Sequence, residues 1–275
     1  MLEHMNNLID ILFIMGVAFL AVELFMILFW MIFTIQRKVS LVDIAWGLSF
    51  IIANLIYFII GQGFVWRKML VMILVAVWAS RLVIHLINRF RISQDDPRYT
   101  QLLGEQGSFL TGIANYNFKV LCLFLFQGLL VTVLSIPFAI MNENAMFFFE
   151  TTEVFGILIW MVGFIGETIA DFQLMQFKKN PANLTNVLQE GLWKYSRHPN
   201  YFFEWIIWIG YCVMAFSSSW GFLAIISPIM ILYLLFKVSG IPLAEQESIR
   251  TKGDAYRDYQ SRTSVFFPWF YRSRK

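Results

Sequence analysis

Seven apolar stretches, at residues 8–35, 41–60, 68–88, 120–141, 154–176, 201–217 and 220–238, constrain this chain more than anything else in it. A hydrocarbon core about 30 Å thick calls for roughly 20 mostly apolar residues per helix. Inside it every backbone N–H and C=O must find a partner within the protein, which leaves helices or closed barrels. Barrel strands would show as short segments of alternating polarity, and no stretch here alternates. The sequence therefore predicts an all-α, polytopic integral membrane protein: seven transmembrane helices with short cytosolic helices, in a single membrane-embedded domain over residues 1–275. The first stretch is followed by no small-residue cleavage site and is read as a retained span.

Composition excludes the alternatives. Hydrophobic residues make up 59% of the chain and charged residues 14%, against about half and a quarter in soluble domains. That is too apolar for disorder. Cys122 and Cys212 both lie inside apolar runs and read as packing residues, not a disulfide. A net charge of +3 gives no reason to expect nucleic acid as a partner.

Seven spans put the termini on opposite sides. With the N-terminus outside, all of the 21 Lys and Arg except Arg67, Lys68 and Arg81 fall in cytosolic loops or the C-terminal region. The outer loop at 142–153 carries Glu143, Glu150 and Glu153 and no base. Positive-inside bias thus places the N-terminus outside and the C-terminus in the cytosol. The cytosolic segments 89–119, 177–200 and 239–275 carry most of the polar chemistry, and their aromatic residues suit the headgroup level.

Ionisable residues within spans are costly and mark candidate sites: here Glu23, Asp43, Arg81, His85, Glu167, Asp171 and Glu204. All but Glu23 fall in the inner half, which points to a polar cavity open to the cytosol. Arg81 and His85 are one turn apart, and Glu167, Asp171 and Lys178 share one helical face. A purely structural ion pair between Arg81 and one of the acids is the alternative. For Asp43, close to a helix start, the alternative is a cap. His4, His85 and His198 show no metal-ligand spacing, so no metal is expected.

The strongest local signal is residues 191–205, Gly-Leu-Trp-Lys-Tyr-Ser-Arg-His-Pro-Asn-Tyr-Phe-Phe-Glu-Trp. It is a basic, hydrogen-bonding loop running straight into an apolar helix that Pro199 would open. This stretch resembles the signature of the steroid 5-alpha-reductase and sterol reductase superfamily, closest to its bacterial steroid-reductase-like membrane branch. Gly-Glu-Thr-Ile-Ala-Asp at 166–171 with Lys178 is similar to the segment with which that family meets the adenosine part of NADPH, although Glu167 and Lys178 depart from its pattern. The tail, with Glu245, Tyr256, Tyr259, Arg262 and Pro268-Trp269-Phe270, resembles the family's C-terminal cap.

The resemblance implies an NADPH-dependent reductase of a carbon–carbon double bond in a lipophilic, steroid-like enone that enters from lipid, with an inner membrane of a bacterium as its setting. Arg81, Glu167, Asp171, Lys178, Arg197, His198, Asn200, Tyr201, Glu204, Glu245, Tyr256 and Arg262 are the implied cofactor residues. The family polarises the substrate carbonyl with a Glu on the second span and a Tyr on the third; the nearest counterparts here are Asp43 and Trp78. Residues 191–262 also resemble isoprenylcysteine carboxyl methyltransferases, which implies S-adenosylmethionine as the alternative cofactor.

Overall fold

The computed structural model describes residues 2–92, 115–183, 185–238 and 240–270, together with Tyr99 and Leu103. The short helix expected within 89–119 lies largely outside these residues. The chain forms α1 (Leu2–Gln36), α2 (Leu41–Ile60), α3 (Val65–Ile92), α4 (Tyr116–Leu134), α5 (Ile136–Glu143), α6 (Thr151–Lys179), α7 (Pro199–Ala215), α8 (Ile226–Tyr233), α9 (Ile241–Lys252) and α10 (Asp254–Arg262). Among the described residues the one β feature is an isolated bridge between Ser196 and Ser264. Among the described residues, six helical segments are long and apolar enough to cross a membrane: Asn7–Gln36, Leu41–Ile60, Val65–Arg91, Tyr116–Leu134, Thr151–Lys179 and Gly221–Lys252. The expected span at 201–217 is α7, with 17 residues. This is a multi-pass, all-helical membrane protein.

Two expected spans differ in detail. The stretch 120–141 breaks at Ser135, so that α4 ends at Leu134 and α5 begins at Ile136 with Pro137 in its first turn. A proline there lacks the N–H that would continue the α4 ladder. The stretch 220–238 is not one regular helix: a 3₁₀ turn (Gly221–Ile225) leads into α8, and a π-turn (Leu234–Val238) follows it.

The chain divides into two compact units, residues 1–153 with 215–227, and residues 154–214 with 228–275. In the first, α1, α2, α3, α4 and α5 pack around a core that includes Phe33, Phe50, Trp78, Phe124 and Phe138. Tyr57 meets Ser135 at 2.8 Å, Asn142 donates to Asn54 at 3.2 Å, and Ser227 donates to the Leu134 carbonyl at 2.9 Å. These bonds tie α2, the α4–α5 junction, α5 and the start of α8 together where water cannot satisfy them.

Arg67 is the main anchor of this unit. It lies in the first turn of α3 and is completely buried, at 0% exposure. Its Nε donates to Glu153 at 2.5 Å and its Nη2 to the other Glu153 oxygen at 3.0 Å. The remaining donors reach the carbonyls of Asn144 (2.9 Å), Met146 (2.6 Å) and Phe148 (2.7 Å). A planar guanidinium with five fixed N–H groups can do this; an ammonium cannot. The loop 144–150 is thereby wound around one side chain.

In the second unit, α6 and α7 approach to backbone contact. A Cβ added at Gly156 would lie 2.7 Å from Met214 N, one at Gly163 2.7 Å from Ile207 N, and one at Gly210 2.7 Å from Trp160 N. Small residues on both helices allow the close approach that membrane helices use for packing. Phe266 closes the other side, buried against Phe202, Trp205 and Phe236 with ring centroids 5.7, 5.9 and 5.1 Å away.

Removing the Arg67 side chain strands the Glu153 carboxylate and three carbonyls in the interior. Arg67→Ala should cost about 3–5 kcal/mol, the range for breaking a buried pair from one side. Thermal unfolding in detergent checks this, with faster proteolysis within 144–150 as the local sign. A variant as stable as wild type contradicts the anchoring role.

Candidate functional site

The second unit gathers most of the sequence-predicted residues. Pro199 opens α7, as expected, and Arg197 and His198 precede it. Asn200, in the first turn, donates to Asp171 Oδ1 on α6 at 3.2 Å. One turn before Asp171 on the same face, Glu167 is buried at 7% exposure. Lys178, near the end of α6, is exposed. Glu204, one turn along α7 from Asn200, accepts from Trp208 Nε1 at 2.9 Å. The His198 ring stacks on Tyr201 with centroids 5.4 Å apart and planes within 5°.

The loop before α7 is held from three sides. Gly191 adopts φ +58°, a left-handed conformation that glycine takes without strain, and its Cα faces Gln173 so closely that a Cβ would sit 2.3 Å from Nε2. Gln173 accepts the Leu192 N–H at 3.0 Å, and Trp193 Nε1 donates to the Ala170 carbonyl at 3.0 Å. Tyr259, on α10, donates to the Trp193 carbonyl and to the Ser196 carbonyl.

Arg197 joins this loop to the tail. Its Nε donates to Glu245 Oε1 at 2.6 Å, and its Nη1 to the carbonyls of Gln260 (3.0 Å) and Thr263 (2.9 Å). His198 Nε2 lies 3.3 Å from the same Glu245 oxygen, and Gln260 donates to the other at 2.9 Å. Ser196 donates to the Phe266 carbonyl at 2.8 Å, and the Trp269 N–H to Tyr195 O at 2.9 Å. Glu245 is the hub: one carboxylate fixes α9, the loop and α10. Arg262 pairs one turn back with Asp258 at 2.7 Å.

Tyr256 is buried beside this hub. Burial, reinforced by the Glu245 charge, pushes its phenol up to about 12, and burial raises Tyr259 as well.

In the first unit, Asp43 lies in the first turn of α2, while Ser40 holds the N-cap position without a side-chain capping bond. Asp43 accepts the hydroxyl of buried Tyr99. Sequence reasoning passed over Tyr99, which lies in a polar segment read as headgroup-facing; an aromatic hydroxyl beside Pro97 and two acids was the available signal. Trp78 is fully buried, its ring edge-on to Phe50 at 5.1 Å, and Phe50 in turn meets Trp46 at 4.8 Å. On α3, Arg81 is half-buried and His85 exposed. Cys122 and Cys212 are free thiols, as their apolar settings predict.

A polytopic helical protein with a hydrogen-bonded acid–amide–arginine cluster before α7 is the class these features define. The chain belongs to the family described as Protein of unknown function (DUF1295), whose pattern matches residues 29–263. It is also similar to the uncharacterized protein C9.08c of Schizosaccharomyces pombe (strain 972 / ATCC 24843), 35% identical over 89 residues. That match covers 25% of this chain and 31% of the yeast protein's length.

Two outcomes test this geometry. Arg197→Lys keeps the charge and loses the fork that spans Glu245 and two carbonyls. It should cost about 1.5–3 kcal/mol, the worth of a charged hydrogen bond, and release the tail to trypsin; an unchanged digestion pattern contradicts the role.

The second concerns pH. Unfolded phenols ionise near 10, whereas the fold keeps Tyr256 neutral to about 12. The stability from this source is complete below pH 10 and is lost as pH rises through about 12. The unfolding temperature should fall across that window, less steeply in Tyr256→Phe; an equal slope in the variant removes Tyr256 from the account.

Proposed function

We propose that this protein is an NADPH-dependent reductase of a carbon–carbon double bond in a lipophilic enone, working from a cavity open to the cytosol. The observation that carries the reading is the Asn200–Asp171 hydrogen bond at 3.2 Å. It brings the 166–178 segment and the 197–204 segment side by side, the two segments whose resemblance to steroid 5-alpha-reductases implies a dinucleotide. The donor set fits such a cofactor. Asp171 accepts hydroxyls, Asn200 and Tyr201 offer amide and phenol groups, and the exposed Lys178 suits a phosphate.

Arg197 has another task. With Nε and Nη1 engaged by Glu245 and two carbonyls, it is a positioning residue that holds the loop against the tail. His198, stacked on Tyr201, keeps that ring in place.

NADPH, when bound, supplies a hydride to an electron-poor carbon. Polarising the substrate falls to Asp43 and Tyr99. With the Tyr99 hydroxyl donated to Asp43, the O–H that the pair offers a carbonyl oxygen, as negative charge develops on it, is that of the Asp43 carboxyl in its acid form. This pair takes the part that the resemblance gives to a Glu and a Tyr, and Trp78 is a buried aromatic residue of the same unit.

Titration of the detergent-purified protein with NADPH, NADH and S-adenosylmethionine tests the cofactor. NADPH should bind at least about tenfold more tightly than NADH, as expected for an extra charged contact. Equal affinities contradict the assignment, and binding of S-adenosylmethionine alone favours the carboxyl methyltransferase. In single-turnover reduction of an enone, Asp43→Asn and Tyr99→Phe should each slow the chemical step by roughly 10²–10⁴, the range for general acid–base catalysis, with NADPH affinity unchanged. Wild-type rates in both variants remove the pair from the mechanism.

A further inference from the structure

The C-terminal tail presents a surface that the chemistry above leaves unused. Phe266 is buried against the start of α7, and Phe267 beside it lies 5.9 Å from both the Phe202 and the Trp205 rings. Ser196 donates to the Phe266 carbonyl, and the Trp269 N–H to Tyr195 O. These bonds hold the tail backbone against the loop before α7. The side chains that follow stand in the open: Phe267 is 55% exposed, Trp269 66%, Phe270 81%, and Tyr195 41%.

The level of these rings in the membrane follows from their neighbours. Phe202 and Trp205 belong to the first two turns of an apolar helix. Phe236, which meets Phe266 at 5.1 Å, lies in the π-turn that ends another apolar stretch. Rings placed at the ends of two such segments sit at the headgroup level, where Trp and Tyr are favoured.

The charges beside them are positive. Lys194 is exposed next to Tyr195, and Lys237 next to Phe236. Arg272, Arg274 and Lys275 follow Phe270 in the sequence, and no Asp or Glu occurs from residue 259 to the end. Exposed rings with bases and no acid match a surface that is apolar below and negative above, which is an anionic phospholipid leaflet. A zwitterionic leaflet answers the rings but not the bases.

We propose that Tyr195, Phe267, Trp269 and Phe270, with the bases around them, seat on anionic phospholipid headgroups, and that this seating steadies the loop 191–198 to which the tail is bonded. Every residue concerned belongs to the second unit, and the inference is independent of the reductase reading.

The whole protein in lipid nanodiscs tests this, with a nitrobenzoxadiazole label on Ser273→Cys in a Cys122→Ala, Cys212→Ala background. Discs of phosphatidylcholine alone are compared with discs that also carry phosphatidylglycerol. Adding phosphatidylglycerol should move the label from water into the interface. Quenching by brominated acyl chains should rise about fivefold or more, since each base near an anionic surface contributes roughly that factor. Replacing Arg272, Arg274 and Lys275 together by Gln should remove the response to phosphatidylglycerol. Trp269→Ser with Phe270→Ser should remove the quenching in both lipids, and because both side chains are exposed the fold loses no core. In the unlabelled protein, trypsin cutting after Lys194, measured relative to cutting after the exposed Arg250, should slow about fivefold when phosphatidylglycerol is added.

A label that stays in water in both lipids overturns the proposal. One that enters both equally overturns it too, and makes the tail an anchor indifferent to lipid charge. So does cutting after Lys194 that ignores lipid composition, because the loop is then not steadied. Burial of the label only in discs holding two copies also overturns it, since a second copy would then be the occupant. None of these readouts depends on reductase activity.

Discussion

A guanidinium sealed from solvent needs every one of its donors satisfied, and the first unit is arranged around that requirement at Arg67. Bidentate pairing with Glu153 takes two of the N–H directions, and the carbonyls of Asn144, Met146 and Phe148 take the others. The loop connecting α5 to α6 must therefore follow a course that delivers three carbonyls to one plane. Phe64 and Phe149 lie against the cation at 5.9 and 5.7 Å, adding ring faces where no further hydrogen bond is available. Gly61 and Gly63 pass so near the Asn142 carbonyl that a Cβ would sit 2.6 and 2.4 Å from it. The ends of α2 and α5 are thus drawn to the same place, and the start of α3 with them.

The second unit solves a similar problem with different means. Its helices meet through glycine, and its polar loop is tied to the tail through Glu245. Arg197, His198 and Gln260 converge on that one carboxylate, while backbone bonds from Arg197 to Ser264 and from Trp269 to Tyr195 run alongside. Both units place an arginine at the junction between a helix and an irregular segment. In each case the carbonyls it collects belong to backbone that neither a helix nor a sheet satisfies.

What could be read from the sequence follows from which forces act locally. Apolar length is a local property, so the helical class, the membrane setting and the start of α7 at Pro199 were legible. The contact of Asp171 with Asn200 was not, because the resemblance named both residues without pairing them. Arg67 was not legible as an anchor, because counting loop charges treats a base as solvated. The signal for its partner lay in a different loop, 142–153, where Glu143, Glu150 and Glu153 stand without any base. Tyr99 was missed for a related reason: its role depends on a contact 56 residues away along the chain, and no periodicity reports that. The break at Ser135 and the π-turn at Leu234–Val238 interrupt hydrophobic stretches whose apolar content is unbroken, so hydropathy alone passes over them.

The shortness of α7 carries a consequence for the bilayer itself. At 17 residues it reaches about 26 Å at 1.5 Å per residue, some 4 Å less than a typical hydrocarbon thickness. Mismatch of that sign is met by thinning of the adjacent leaflets or by polar flanks drawn below the interface. The flank here is Asn200 with Asp171, and glycine contacts with α6 prevent α7 from sliding outward to relieve the deficit. A span this short favours thinning of the adjacent lipid over tilt, which would bring the aqueous boundary down towards the polar end of α7 and let a water-soluble molecule meet that end without crossing a full leaflet's depth.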